Sequence, residues 1–356
     1  MPKRIVISGY YGFGNTGDEA VLAGMLATLR RLRIEAEVTV LSADPDRTVR
    51  EHPGVRSVQR YRLAELVKVM RRADLVISGG GSLFQDVTSA ISPHYYLFVL
   101  RLARLLRRRT MIYAQGVGPL VRDGVRRAVA RAMNRTDLIT VRDPDSKSLL
   151  EEIGVTKPIH LSADPSFVLE PDVREADRLL AERGLSRAAL MGVSLRPWSG
   201  SGEWLAEAAE GVRLAAGRSG VKVICVPMQG PEDEPVCMAV KNAAMIRSDD
   251  PRVVKGLIAR CGLVVGMRLH ALIFAAGSGV PFVPIVYDPK VASFAGSVGL
   301  GPGVDVSGLS AEAVRDAVID AWKRKSELAG MLVRNSRECV DLALESGRLA
   351  AQLLQL

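Results

Sequence analysis

The segment Gly266-Met267-Arg268-Leu269-His270-Ala271 sets a guanidinium and an imidazole close together where an apolar run ends and a helical pattern begins. A helix N-terminus presents unpaired N–H groups and partial positive charge. An arginine there adds a bidentate partner for a carboxylate or phosphate. An imidazole beside such an anion can act as general acid or base near neutral pH. The turn around Arg268 and His270 is therefore expected to be a reactive centre for a small phosphorylated anion. His270, one of four histidines with His52, His94 and His160, also admits a purely structural reading.

Other cations occupy comparable positions. Within TVRDPDS, Arg142 stands at the end of a strand candidate just before Asp143-Pro144, where it reads either as an anion ligand or as a salt-bridge partner of Asp143 or Asp145. Lys290 follows VYDP, and Arg196 follows GVSL. Glycine loops form a second group. Gly12-Phe13-Gly14-Asn15-Thr16-Gly17 matches a dinucleotide fingerprint in form, but Asp18 and Glu19 follow at once. Two carboxylates in a first helical turn would repel a pyrophosphate, so no nicotinamide or flavin cofactor is expected. The loop either lets the chain turn, with Asp18 as a helix cap, or touches an acceptor through Gly12, Gly14, Asn15 and Asp18. Gly80 and Gly81 in GGGS, and Gln115 in QGVG, repeat the theme and are expected to line the same acceptor site.

These residues need strands that end at them. RIVISGY, EVTVLSA, DLVISGGG, TMIYAQGVG, DLITVRD and IHLSAD are short β-branched runs separated by amphipathic stretches. The pattern restarts after LEPDVRE with LMGVSLRPW, VKVICVPMQ, MIRSDD, LVVGMRL and FVPIVYD. Such alternation predicts an α/β protein of two doubly wound, Rossmann-like domains. The expected boundaries are residues 1–170 for an acceptor-binding domain and 177–330 for a donor-binding domain. A C-terminal helix over 331–356 is expected to pack back on the first domain. Ligands of open parallel sheets bind beyond the carboxyl ends of the strands, so a cleft lined by both sets of strand ends is expected.

Composition narrows the partners. A length of 356 residues suits two domains, and 48% hydrophobic with 24% charged residues is globular. The net charge of +9 is uneven: residues 1–140 hold 23 Lys and Arg against 12 Asp and Glu, leaving the remainder slightly acidic. A basic first domain implies an anionic partner. Nucleic acid is not expected, since the arginines form helical patterns without a reading motif. They read instead as solvated helix faces or as an anionic membrane contact. Cys225, Cys237, Cys261 and Cys339 lack metal-ligand spacing, so neither a metal nor a disulfide framework is expected. The strand-like start without an apolar leader, and the lack of a membrane-length apolar run, predict a cytoplasmic protein, peripheral at most on the inner membrane face.

Together GYYGFGNTGDEAVL, ISGGGSLFQD, AQGVGPL, TVRDPDS and GMRLHALIFA resemble the polysaccharide pyruvyl transferases, most closely the bacterial cell-surface (S-layer) anchoring type. The likeness runs over nearly the whole chain in the family's order. It implies a GT-B-like fold and transfer of pyruvate from phosphoenolpyruvate to a sugar as a cyclic ketal, without a cofactor. It also implies that Arg142, Arg268 and Leu269 hold phosphoenolpyruvate with help from Lys290, and that His270 is the acid/base. The implied acceptor is an N-acetylmannosamine unit of a lipid-linked secondary cell-wall polysaccharide precursor. Two rivals share the expected cleft: a nucleotide-sugar GT-B glycosyltransferase and a non-catalytic anion-binding protein. The first should carry a carboxylate in the helix after Arg268, and HALIFAAGSG has none.

Overall fold

The computed structural model describes residues 2–87, 92–198 and 201–355. The chain divides into two compact units, one of Met1–Leu169 with Cys339–Leu356 and the other of Glu170–Glu338. In the first, the elements run β1 (Lys3–Ser8), α1 (Thr16–Arg31), β2 (Ala36–Ser42), α2 (Pro45–Glu51), β3 (Arg56–Gln59), α3 (Leu63–Met70), β4 (Leu75–Gly79), α4 (Ser92–Leu105), β5 (Arg109–Gln115), α5 (Asp123–Met133), β6 (Leu138–Val141), α6 (Pro144–Glu152) and β7 (Ile159–Leu161). All seven strands are parallel, in the order β3-β2-β1-β4-β5-β6-β7.

Alternate residues of the same strands feed two cores, as the two-residue period of a buried sheet requires. Ile5 and Ile7 of β1 pack with Val21, Leu22 and Met25 of α1 and with Ala350 and Leu354 of the C-terminal helix. Val6 faces the other way, against Leu66 and Met70 of α3 and Val99 and Ala103 of α4. The C-terminal segment is fixed by hydrogen bonds as well. Ser346 Oγ lies 2.8 Å from both Thr140 Oγ1 and Ser162 Oγ, so three buried hydroxyls satisfy one another.

The second unit contains α7 (Val173–Glu182), β8 (Leu190–Ser194), α8 (Ser201–Ser219), β9 (Lys222–Cys225), α9 (Gly230–Ala239), β10 (Ala244–Met245), α10 (Pro251–Ala259), β11 (Leu263–Gly266), α11 (Leu269–Gly277), β12 (Phe282–Val286), α12 (Pro289–Ser297), β13 (Val304–Asp305), α13 (Ala311–Lys323) and the start of α14 (Lys325–Leu354). Its sheet is parallel in the order β10-β9-β8-β11-β12-β13. Strand order reverses between β1 and β4 in the first sheet and between β8 and β11 in the second. Ligands of doubly wound sheets bind at such switch points. The residues just beyond β8 and β11 are Arg196 and Arg268; those beyond β1 and β4 are the glycine loops.

Two strands went unanticipated. Both β3, with the mixed run RSVQ, and the two-residue β13 are edge strands. Short polar edges carry little periodic signal and resist pairing with other chains.

Candidate active site

Arg268 is the N-cap of α11, with extended backbone and no capping side-chain bond of its own. Its guanidinium is buried and already paired. Nε lies 3.0 and 3.2 Å from the two carboxylate oxygens of Asp233, and Nη2 meets Asp233 and, at 3.1 Å, Glu232 Oε2. Asp233 is fully buried and also accepts the backbone N–H groups of Met228 and Gln229, each at 3.0 Å. Burial opposes the charge on Arg268. The hydrogen bond and field of Asp233, then Glu232 and Tyr287, outweigh that and raise its pKa. The guanidinium is thus locked in place as a permanent cation, and Nη1 has no partner among the described residues.

Tyr287, at the end of β12, gathers the other cations. Arg196 Nη1 lies 3.4 Å from its hydroxyl, and the Arg196 guanidinium sits 5.2 Å from its ring and 5.7 Å from that of Trp198. Trp198 and Tyr287 meet edge to face at 4.7 Å. Lys290 Nζ lies 6.0 Å from the Tyr287 ring and pairs with Asp288 at 3.0 Å. Leu269 and His270 begin α11 next to Arg268 and are half-buried, with their backbone in the first turn. The predicted cations Arg196, Arg268 and Lys290 therefore share one neighbourhood around a phenol. Sequence reasoning missed Asp233, Glu232, Tyr287 and Trp198. The adjacent acids just after CVPMQG were the available signal for the first two.

In the first unit, the glycines serve close approaches of the chain to itself. Gly12 donates its N–H to Glu19 Oε1 at 2.8 Å, and a Cβ on it would lie 2.5 Å from the Asp44 nitrogen. Gly14 abuts Arg47 in the same way. Gly80, at φ +61°, lies where a Cβ would overlap Val21, and Gly81 lies under the Asp18 carboxylate. Asn15 is the actual cap of α1, accepting from Gly17 and Asp18 N–H; Asp18 sits in the first turn instead of capping it. Gln115 is fully buried and donates both amide hydrogens to the carbonyls of Gly80 and Gly81, at 2.8 and 2.9 Å. Its amide nitrogen thus shapes the glycine loop. The buried Tyr11, unnoticed in sequence, bridges the switch point by donating to the Gly79 carbonyl at 2.9 Å. Burial first, then Asp18 and Glu19, raise its pKa, so it stays a donor.

Arg142 repeats the arrangement of Arg268. Nη1 lies 3.0 Å from Asp164 and Nη2 3.0 Å from Ser82 Oγ, and Nε forms the expected ion pair with Asp143 at 3.5 Å. Asp164 is itself held by the N–H and hydroxyl of Ser166. Gly116 supplies the floor: a Cβ there would come within 2.8 Å of Arg142 Nε and Nη2. Gly116→Ala is therefore expected to displace the guanidinium and lower turnover on the order of a hundredfold, as small misplacements of positioned groups do. Steady-state kinetics beside a thermal melt will check it; unchanged kinetics would make Arg142 a structural residue only. Glu19, Glu51 and His52 bring three possible ligand atoms within 4.8 Å of one another. Glu19 is engaged by Gly12, Glu51 by Arg47 and His52 by Glu19, so the cluster braces α2 against the first glycine loop.

Two parallel sheets of seven and six strands with such switch points are the makings of a GT-B-like fold, and solved structures share it. The chain superposes on Alr3699/HepE of Anabaena in complex with UDP-glucose at a TM-score of 0.64 and 13% identity, over 99% of both chains. It also superposes on UDP-GlcNAc 2-epimerase of Neisseria meningitidis at 0.61 and 12% identity, over 100% of both. At such identities the likeness defines the fold alone. The model of the polysaccharide pyruvyl transferase family matches residues 15–289, and the chain belongs to that family. A curated relative, the amylovoran biosynthesis protein AmsJ of Erwinia amylovora, is 19% identical over 83% of this chain and 86% of its own length. Family membership assigns the chain to pyruvyl transfer in polysaccharide biosynthesis.

Proposed function

We propose that the donor is phosphoenolpyruvate, bound at the second switch point, and that the product is a cyclic pyruvyl ketal on a sugar. The observation that carries this reading is the buried Asp233–Arg268 pair beside His270, with Arg196 and Lys290 close by. A donor with a carboxylate and a phosphate needs several fixed cations, and preorganised charge lowers the barrier as charge develops. Arg268, the backbone at Leu269, Arg196 and Lys290 supply it. His270 delivers a proton to the methylene carbon, and the electron-poor C2 is attacked by a sugar hydroxyl, which gives up its proton. The C2–O bond to phosphate then breaks, the leaving phosphate is stabilised by the cations, and a second hydroxyl closes the ring with loss of its proton. One proton has gone to carbon and two have come from hydroxyls; one of these restores the proton His270 gave up and the other goes to the leaving phosphate, so the net products are the ketal and hydrogen phosphate.

The acceptor we infer is an N-acetylmannosamine unit of a lipid-linked secondary cell-wall precursor, met at the inner membrane face. Among the described residues no helix is long and apolar enough to cross a membrane. The test is incubation with phosphoenolpyruvate and lipid-linked disaccharides, reading phosphate release and the mass gain of a pyruvyl ketal. Consumption of a UDP-sugar instead would make the chain a glycosyltransferase. Phosphoenolpyruvate binding without phosphate release on any acceptor would make it a binding protein.

A further inference from the structure

Helices α3 and α4 cover the same face of the first sheet, with Leu66, Met70, Val99 and Ala103 turned inward. They are tied at both ends. Tyr61 and Tyr95 meet edge to face at 5.6 Å, and Arg108 Nη1 donates to the Ala73 carbonyl at 3.3 Å. Their outer surface combines two features that rarely coincide on a solvated face. Large apolar side chains stand out in water: Tyr61 is 67%, Leu63 55%, Phe98 42% and Leu105 80% exposed. Phe98, Arg101 and Leu105 fall on one stripe of α4 at helical spacing. Around them lie Lys68, Arg71, Arg72, Arg101, Arg104 and Arg107, all exposed and without an ion-pair partner among the described residues. The nearby acids are engaged, Glu65 by Arg62 and Asp74 by the backbone N–H of Arg4.

We propose that this α3–α4 face seats the protein on an anionic lipid surface. Cations interleaved with protruding apolar groups suit the headgroup–acyl boundary, where tyrosine also resides. A nucleic acid would use the cations but gain nothing from Phe98 or Leu105. The face also runs into the first glycine loop. The Arg60 guanidinium lies 5.2 Å from the Tyr61 ring and 5.1 Å from the Phe13 ring, so the surface ends where an acceptor loop begins. The purpose of the contact rests on the lipid-linked acceptor reading, but its existence is tested without any sugar.

The full chain is sedimented with phosphatidylcholine vesicles and with vesicles also containing phosphatidylglycerol. Binding to the anionic vesicles only, weakened by salt, is expected. Each cation near such a surface is worth about fivefold in partitioning, so Arg101→Gln/Arg104→Gln should lose roughly 25-fold. Phe98→Ser/Leu105→Ser should lose binding at an unchanged melting temperature and unchanged transfer to a detergent-solubilised acceptor. Equal binding to both vesicle types, or wild-type binding by either variant, overturns the proposal. So does duplex DNA or RNA that displaces the vesicles and still binds Phe98→Ser/Leu105→Ser at full strength. Failure of pyruvyl transfer with vesicle binding intact would count against the acceptor alone.

Discussion

Arg268→Ala is expected to lower the melting temperature of the protein as well as to abolish transfer, because it leaves the Asp233 carboxylate buried and uncompensated. Asp233 is fully buried, and among the described residues its donors apart from Arg268 are two backbone N–H groups, from Met228 and Gln229. Removing one partner of a buried pair costs about 3–5 kcal/mol, chiefly through the charge left behind. In a unit of this size that corresponds to a fall of roughly 6–20 °C. Asp233→Ala should cost a similar amount by stranding Arg268. The double variant Arg268→Leu/Asp233→Leu should recover much of the stability, since apolar replacements of a buried pair are often neutral. It should recover no activity. Melts of the two singles and the double give the coupling directly. An Arg268→Ala protein that melts with wild type would mean the Asp233–Arg268 pair does not carry charge in the fold.

This result bears on how the site works. Both candidate anion-holding arginines are backed by a buried aspartate that backbone amides hold in turn, Asp233 behind Arg268 and Asp164 behind Arg142. A guanidinium on a long flexible stem would otherwise lose rotamer freedom each time a ligand bound. Fixing it during folding moves that cost away from binding, which is what preorganised electrostatic catalysis needs. The price is a partly neutralised cation, so the neighbouring Arg196 and Lys290 have a reason to be there.

Much of the fold was legible because buried parallel strands are compact apolar runs with turn residues behind them. The sheets, the positions of Arg142, Arg196 and Arg268 just past strand ends, that of Lys290 at the start of the helix after β12, and the start of α11 all followed from that. What failed was whatever depended on contacts distant in sequence. Asp233 precedes Arg268 by 35 residues and belongs to another helix, so their pairing left no local trace. The glycine loops showed that something approaches the backbone closely, but not that Val21, Asp44 and Arg142 are what approach it. The place of Gln115 at a strand end was legible, but its direction toward Gly80 and Gly81 is a rotamer that only packing decides. Charge told the same partial story: the basic bias of the first 140 residues was plain, but its arrangement around Phe98 and Leu105 required the helices side by side.

His270→Ala should behave in the opposite way to Arg268→Ala, and the contrast is what assigns the chemistry. His270 is half-buried in the first turn of α11, whose anchoring falls to the fully buried Ala271, Leu272 and Phe274. Its removal should therefore leave the melting temperature within a few degrees of wild type. Turnover should fall by about 10²–10⁴-fold, the usual worth of a positioned general acid or base. Binding of phosphoenolpyruvate should survive, since Arg268, Arg196 and Lys290 remain. A cold-labile, poorly folded His270→Ala protein would make His270 a structural residue. A stable one with wild-type turnover would take the proton away from His270 and require a different donor at the same switch point.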